Sequence, residues 1–315
     1  MSRNPLAEVF GYPVDNFSPV AVRHRAGKLC PFHNSASLHC TKNSATDPLG
    51  VCTVVAGDGL AITCPTRLRQ DLLIVEDAAG FFFPAQTRYV TLTEVRLADR
   101  FGKSAGNIDI VLVALDDQNQ IIDFGALEIQ AVYISGNVSK AFQAYMKDPT
   151  ANYGMQWPAK NYPKPDYLSS SRKRLAPQLI YKGGILNQWS KKIAVAVHRP
   201  FFEQLPLLPE VDVNDAEIAW FVYDLVYDSK FEQYKLHRAA TKYTRFKEAL
   251  DTITTAEPGD IAQFVAYLKQ RVEVGKFMGT PPQSELPPDI RPLSNILAEE
   301  NEEESSEHLL ENNNV

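Results

Sequence analysis

Residues 107–132, NIDIVLVALDDQNQIIDFGALEIQAV, decide how this chain is read. Two apolar runs flank the polar segment DDQNQ, so the stretch predicts a β-hairpin. Each strand carries one carboxylate, Asp109 and Glu128, and Gln130 lies two residues past the second. A two-residue loop at Gln118 and Asn119 would pair Asp117 with Gln120 and set Asp109 directly opposite Glu128. Opposed residues of an antiparallel pair share one face, and a step of two along a strand returns to that face, so Gln130 joins them. A slip of one residue would turn Glu128 to the other face. Like charges placed opposite one another repel, the more so when buried, and a hard divalent cation such as Mg²⁺ relieves both costs. The plainer alternative is two solvent-facing acids on an edge hairpin.

The rest of the chain sets the context. Its 315 residues, 44% of them hydrophobic, suffice for one large domain or two smaller ones. No apolar run approaches the roughly 18 to 20 residues of a membrane-spanning helix. The start, MSRNPLAEVFGYPVDNF, lacks the charged beginning and apolar centre of a secretory signal, so a cytoplasmic location and no membrane partner are expected. The net charge of -6 conceals its distribution, because seven glutamates and no Lys or Arg lie between residues 299 and 311. Without them the balance is slightly basic, and nucleic-acid binding is not excluded. Residues 160–199 hold nine Lys or Arg against the single acid Asp166. That imbalance suits a surface facing a polyanion, or an ordinary solvated basic face. Arg172, Lys173 and Arg174 in SSSRKRLAPQ are its densest part, and Arg23, Arg25, Lys28 and Lys42 form a second positive region.

Apolar patterning predicts short strands through residues 72–138, a helix at SKAFQAYM, and a helix at LAPQLIYKGGILNQWSKK interrupted by Gly183 and Gly184. Strands are expected at KIAVAVHRPFF and AEIAWFVYDLVYD. Helices are expected at KFEQYKLHRAATKYTRFKEALDTI and at GDIAQFVAYLKQRVEV. The fold class is therefore α/β, a mixed sheet flanked by helices. Three regions are anticipated: an N-terminal segment 1–70, a main domain 71–280, and a proline-containing, acidic, disordered tail 281–315.

All four cysteines, Cys30, Cys40, Cys52 and Cys64, fall in one stretch with the spacing C-x9-C-x11-C-x11-C. In a cytosolic chain this argues against disulfides and for one tetrahedral metal centre, which zinc or iron would satisfy equally. Four unrelated thiols is the other possibility. Residues 20–70 have few long apolar runs, as in a small loop-rich unit held by something other than a core, and a metal would supply that stability. His33 and His39 lie nearby and are bystanders if four thiolates complete the shell.

The pattern D-x18-E-x-Q, embedded in GNIDIVL and ALEIQ, resembles the PD-(D/E)xK nuclease core, with Gln130 where that core has a lysine. A Gln supplies no positive charge but can hydrogen-bond to and orient a water. Together with PFHNxxxxxCTK around Cys40 and the stretch EVRLADRFGKSAGNIDIVL, the chain resembles the NotI family of type II restriction endonucleases over about residues 20–200. That resemblance implies a PD-(D/E)xK endonuclease domain behind a small four-cysteine metal-binding unit. It implies a homodimer acting on double-stranded DNA, with Mg²⁺-dependent cleavage at a G/C-rich palindrome that leaves 5'-phosphates. Asp109, Glu128 and Gln130 would be catalytic, with Asp109 and Glu128 holding Mg²⁺ and Glu94 of TLTEVRL a further acidic candidate. Cys30, Cys40, Cys52 and Cys64 would hold structural iron, with zinc the alternative. Arg172, Lys173 and Arg174 are candidates for DNA contact. Two competing readings are a repair or recombination nuclease without strict sequence specificity, and a non-catalytic metal-containing DNA-binding regulator.

Overall fold

The computed structural model describes residues 2–33 and 38–274, so the tail expected at 281–315 lies outside the described residues. By its internal contacts the chain divides into two units, Met1–Thr255 and Ala256–Val315. Of the second, the helix Ile261–Glu273 is described, opened by Asp260, whose side chain accepts from the Ala262 N–H as the sequence leads one to expect.

Within the first unit, strands β1 (Leu6–Val9), β2 (Tyr12–Pro13), β3 (Val51–Ala56) and β4 (Gly59–Ile62) form an antiparallel sheet in the order β2-β1-β3-β4. Strands β5 (Tyr89–Ala98), β6 (Ser104–Leu115) and β7 (Ile121–Gln130) follow as an antiparallel meander. A short pair, β8 (Tyr133–Ser135) and β9 (Lys164–Asp166), comes next. Strands β10 (Ile193–His198), β11 (Ile218–Asp228) and β12 (Gln233–Thr244) complete a six-stranded sheet ordered β12-β11-β10-β7-β6-β5. β10 runs parallel to both β7 and β11, and the remaining pairs are antiparallel. The IAVAVH run of β10 is buried throughout, as a central parallel strand covered on both faces requires.

Helices cover the two faces. On one, the helix Leu73–Phe82 packs Ile74, Ala78 and Phe82 over Leu112, Leu127 and Ala194. On the other, Leu175, Leu179, Leu186 and Phe246 pack over Val111, Val113, Val195 and Trp220. The mixed sheet flanked by helices is thus the expected architecture.

Three elements depart from expectation. The Leu73–Phe82 segment is a helix, not strand-like, and buries Ile74, Val75, Ala78, Phe81 and Phe82 at helical spacing. Helical segments run from Tyr167–Ser170 to Gly184–Gln188 without a break, straight through Gly183 and Gly184, because every junction keeps right-handed helical angles. Gly183 serves packing: a Cβ there would lie 2.6 Å from the Phe246 ring. Finally, the first half of the helix expected at 230–253 is β12, paired with β11 from Asp228↔Gln233 to Ile218↔Thr244, and only Phe246–Thr254 is helical. Its Lys- and Ala-containing sequence suits a helix, but ladder pairing with β11 outweighs that weak local preference.

The N-terminal sheet also has an apolar core, contrary to the core-poor impression given by residues 20–70. Leu6, Val9, Phe10, Val51 and Val54 pack with Ala141 and Tyr145 of the helix Val138–Lys147. The missing apolar side chains come from both sides of that stretch, one of them far along the chain. A buried polar staple then ties this sheet to β12. Arg67 donates from Nε to Glu8 at 3.0 Å, from one terminal nitrogen to Gln70 Oε1 at 2.7 Å, and from the other to the Tyr234 carbonyl at 2.8 Å. Gln70 Oε1 in turn accepts from the Leu236 N–H.

Candidate active site

The hairpin pairs Ile110 with Leu127, Val111 with Ala126, Leu112 with Gly125, Val113 with Phe124 and Ala114 with Asp123. This is the expected register, reached by another route. The turn spans Asp116 to Gln120, closed by the Asp116 N–H bonding to the Gln120 carbonyl, with Asn119 at φ +62°. Leu115 pairs with Ile121, so Ile122 is an extra residue, a bulge that restores the alignment of the longer loop.

The paired residues end at Ile110 and Leu127. One step beyond, Asp109 Oδ2 accepts the Ile129 N–H at 2.7 Å, so a carboxylate stands where the ladder stops. Glu128 and Gln130 are buried, and Asp109 is half-buried. Burial first, and the neighbouring Asp109 carboxylate second, push the Glu128 carboxyl up to about 8 against the opposing pull of Lys182. Glu128 Oε2 accepts from Lys182 Nζ at 2.6 Å, while Glu128 Oε1 is buried with no hydrogen-bond partner. Gln130 Nε2 donates to the adjacent Ala131 carbonyl at 2.8 Å.

Glu94 sits in β5 between Thr93, paired with Ile110, and Val95, paired with Ile108, and is therefore across from Asp109. It is exposed, and its φ of +54° is a left-handed conformation that costs a side-chain-bearing residue energy in a strand. The structure thus brings Glu94, Asp109 and Glu128 to neighbouring positions on three adjacent strands.

Sequence reasoning misses Lys182. Its signal is nonetheless present: Leu175, Leu179, Lys182 and Leu186 recur at helical spacing and are all buried, so the lysine occupies the apolar stripe. Arg172, Lys173 and Arg174 lie exposed at the other end of the same helical run. Arg174 stacks its guanidinium on the Tyr133 ring at 3.8 Å, and the Tyr133 N–H donates to Ser170 Oγ at 2.8 Å. The start of the run is thereby tied to chain only three residues beyond Gln130.

Cys30, Cys40, Cys52 and Cys64 are all buried and line one small cavity with Phe10, Phe32 and Arg67. Around the antiparallel Leu29–His39 bridge the Cys30 N–H donates to the Leu38 carbonyl and the Cys40 N–H to the Lys28 carbonyl, Cys52 belongs to β3, and Cys64 follows β4. Burial pushes the Cys30 thiol up to about 12, with Cys64 and Cys40 adding to the rise. Burial raises Cys40 and Cys52 as well. His33 lines the same cavity. Among the described residues no group of three or more His, Cys, Asp or Glu is drawn together as metal ligands are. The donor types would suit a cation in each place: four cysteines line one cavity, and a buried, unpartnered carboxylate oxygen lies beside a second carboxylate.

Fold and site define the class: an α/β protein with a mixed sheet, a carboxylate pair, Asp109 and Glu128, where the ladder of two neighbouring strands stops, and a basic helical segment beside them. A family model, restriction endonuclease NotI, matches residues 8–236, well over half of the chain. The match takes in all four cysteines, the three acids, Gln130, Lys182 and the basic triplet, and ends inside β12. The chain belongs to the NotI restriction endonuclease family, and as such is a nuclease of a restriction system whose substrate is DNA. Comparison with the curated proteins finds none that matches. Among the described residues no helix is long and apolar enough to cross a membrane.

Proposed function

We propose that this chain is a type II site-specific deoxyribonuclease that cuts both strands of DNA in a Mg²⁺-dependent reaction, built on a PD-(D/E)xK core. One observation carries the reading. Asp109 and Glu128 lie at equal register on adjacent strands, and Glu128 Oε1 is buried without a partner. A buried, unsatisfied carboxylate oxygen is costly, and a cation shared with Asp109 would remove that cost.

Asp109 and Glu128 would hold the Mg²⁺, with Glu94 near enough in register to assist. When bound, such a cation would supply Lewis acidity at the scissile phosphate and acidity to the attacking water. Asp109 is held in place by the Ile129 N–H, and Glu128 by Lys182. Gln130 has Nε2 engaged by Ala131, which leaves its amide oxygen as the atom to orient water. Arg172, Lys173 and Arg174 are exposed and suited to phosphate contact or to bidentate reading of guanine. The four cysteines would hold a structural iron, with zinc as the alternative, fixing the loops between β2 and β3. The family resemblance further supports a homodimer, a G/C-rich palindromic target and 5'-phosphate ends.

The test is to incubate the purified chain with a long G/C-rich DNA, in Mg²⁺ or in EDTA, and to sequence the ends. Discrete fragments with a common terminal sequence support a site-specific enzyme. A smear would reassign the chain to nonspecific cleavage, and intact DNA would remove the catalytic reading. Elemental analysis of the same preparation distinguishes iron, zinc and no metal.

A further inference from the structure

Gln130 leaves the acid cluster without the positive charge that an E-x-K arrangement would place two residues past Glu128. A lysine from elsewhere in the fold reaches the same cluster. Lys182 is buried, and its Nζ donates to Glu128 Oε2 at 2.6 Å and to the Asn107 carbonyl at 2.7 Å. It therefore touches both strands of the hairpin, β6 through Asn107 and β7 through Glu128. A buried ion pair is poor evidence of stability, because apolar residues of similar volume often do as well. Lys182 interrupts a stripe of leucines, where an apolar side chain would pack without loss of charge hydration. That makes a stabilising role the weaker explanation.

The local geometry is built around this reach. Lys182 lies in a π-helical turn, Leu179–Gly183, a wider winding that recurs at functional sites. The next residue, Gly183, admits the Phe246 ring, so the helical run seats closely there. Across from the lysine stem is Gly106, whose φ of +111° is a conformation that side-chain-bearing residues rarely adopt.

We infer that Lys182 is a positioning residue for the cation site. It occupies Glu128 Oε2, so that Oε1 is turned toward the cation, and it supplies from a helix the charge that the Gln130 position lacks. This rests on the proposed nuclease reading for its purpose, but not for its measurement. Partners that orient a metal ligand typically matter by about 10- to 100-fold in affinity or turnover.

The experiment uses the full chain with Lys182→Met, which keeps length and apolar volume, and Lys182→Arg, which keeps the charge. Binding of Ca²⁺ or Mg²⁺ without DNA is followed by calorimetry, alongside thermal melting, DNA affinity without divalent ion, and cleavage. The methionine variant leaves Glu128 buried without its partner and is expected to melt below the parent, while at temperatures where it stays folded it binds DNA as the parent does. Its divalent-ion affinity should be about tenfold or more weaker, with kcat lowered, KM for DNA unchanged, and partial recovery in the arginine variant. If methionine does not fold, the arginine variant decides, since retained fold and cation binding there support the charge requirement. Parent-like cation affinity and kcat in the methionine variant would overturn the inference. So would equal losses in both variants that track a lowered melting temperature. Should the parent chain bind divalent ions yet cut no DNA, the nuclease reading fails while the role of Lys182 is still read from cation affinity.

Discussion

At the scale of single residues, buried charge and buried imidazole set the molecule's responses. His198 ends β10 and is buried, with Nδ1 unpartnered. Burial, reinforced by the positive charges of Arg67 and Arg199, lowers its pKa to about 4 from 6.5. The unfolded chain takes up a proton at this residue below pH 6.5, whereas the folded chain does so only near 4. Its contribution is therefore intact above pH 6.5 and is lost as pH falls from there toward 4, by up to about 3 kcal/mol. Denaturant titrations of parent and His198→Gln at pH 7 and pH 4.5 should show the smaller loss in the variant; equal losses would mean His198 does not govern this window. Asp109, Glu128 and Gln130 were legible as a set because strand alternation is a strict period of two. Lys182 was harder to find, because its pairing with Glu128 links chain positions 54 apart.

Among the elements, the β6–β7 hairpin is the most instructive. The expected two-residue loop is absent, yet the expected register holds because the bulge at Ile122 offsets the longer turn. The hydrophobic alternation of the two strands, rather than turn chemistry, determined the alignment. Deleting Ile122 should then regularise the ladder, keep Leu115 opposite Ile121 and Ala114 opposite Asp123, and leave at least about a third of the activity. Inserting one alanine between Ala126 and Leu127 should instead turn Glu128 to the opposite face and abolish activity. Comparable activity in the two variants would show that the register does not carry the site. Elsewhere, element type was lost where local preference and tertiary pairing disagree. β12 contains Lys, Ala and Arg that favour a helix, but its partner β11 is a long strand with a free edge to cover. The Leu73–Phe82 helix had the right spacing, but its aromatic and β-branched content resembled a strand.

Across the whole first unit, a buried network helps join the sheet beside the cysteine cluster to the sheet that carries the acids. Arg67, Glu8 and Gln70 connect β1 to the backbone of β12, with Arg67 also over the Phe32 ring at 4.2 Å. Removing the guanidinium leaves Glu8 buried and unpaired, so Arg67→Met should destabilise the chain by about 3 to 5 kcal/mol. A change below about 1 kcal/mol in denaturant unfolding would mean that the network relaxes around its loss. None of these partners could be anticipated from spacing, since Arg67 and Tyr234 are brought together only when both sheets have formed. The cysteine cluster was easier to see, because all its members lie within 35 residues and converge on one cavity.

The central claim is that Asp109 and Glu128 together form the cation-dependent catalytic centre, and DNA cleavage by paired variants tests it most directly. Parent, Asp109→Asn and Glu128→Gln are compared on G/C-rich DNA with Mg²⁺, with DNA binding measured separately in EDTA. The account predicts discrete cutting by the parent and at least about a hundredfold slower cutting by each variant, with DNA affinity preserved. Undiminished cutting by either variant would contradict it.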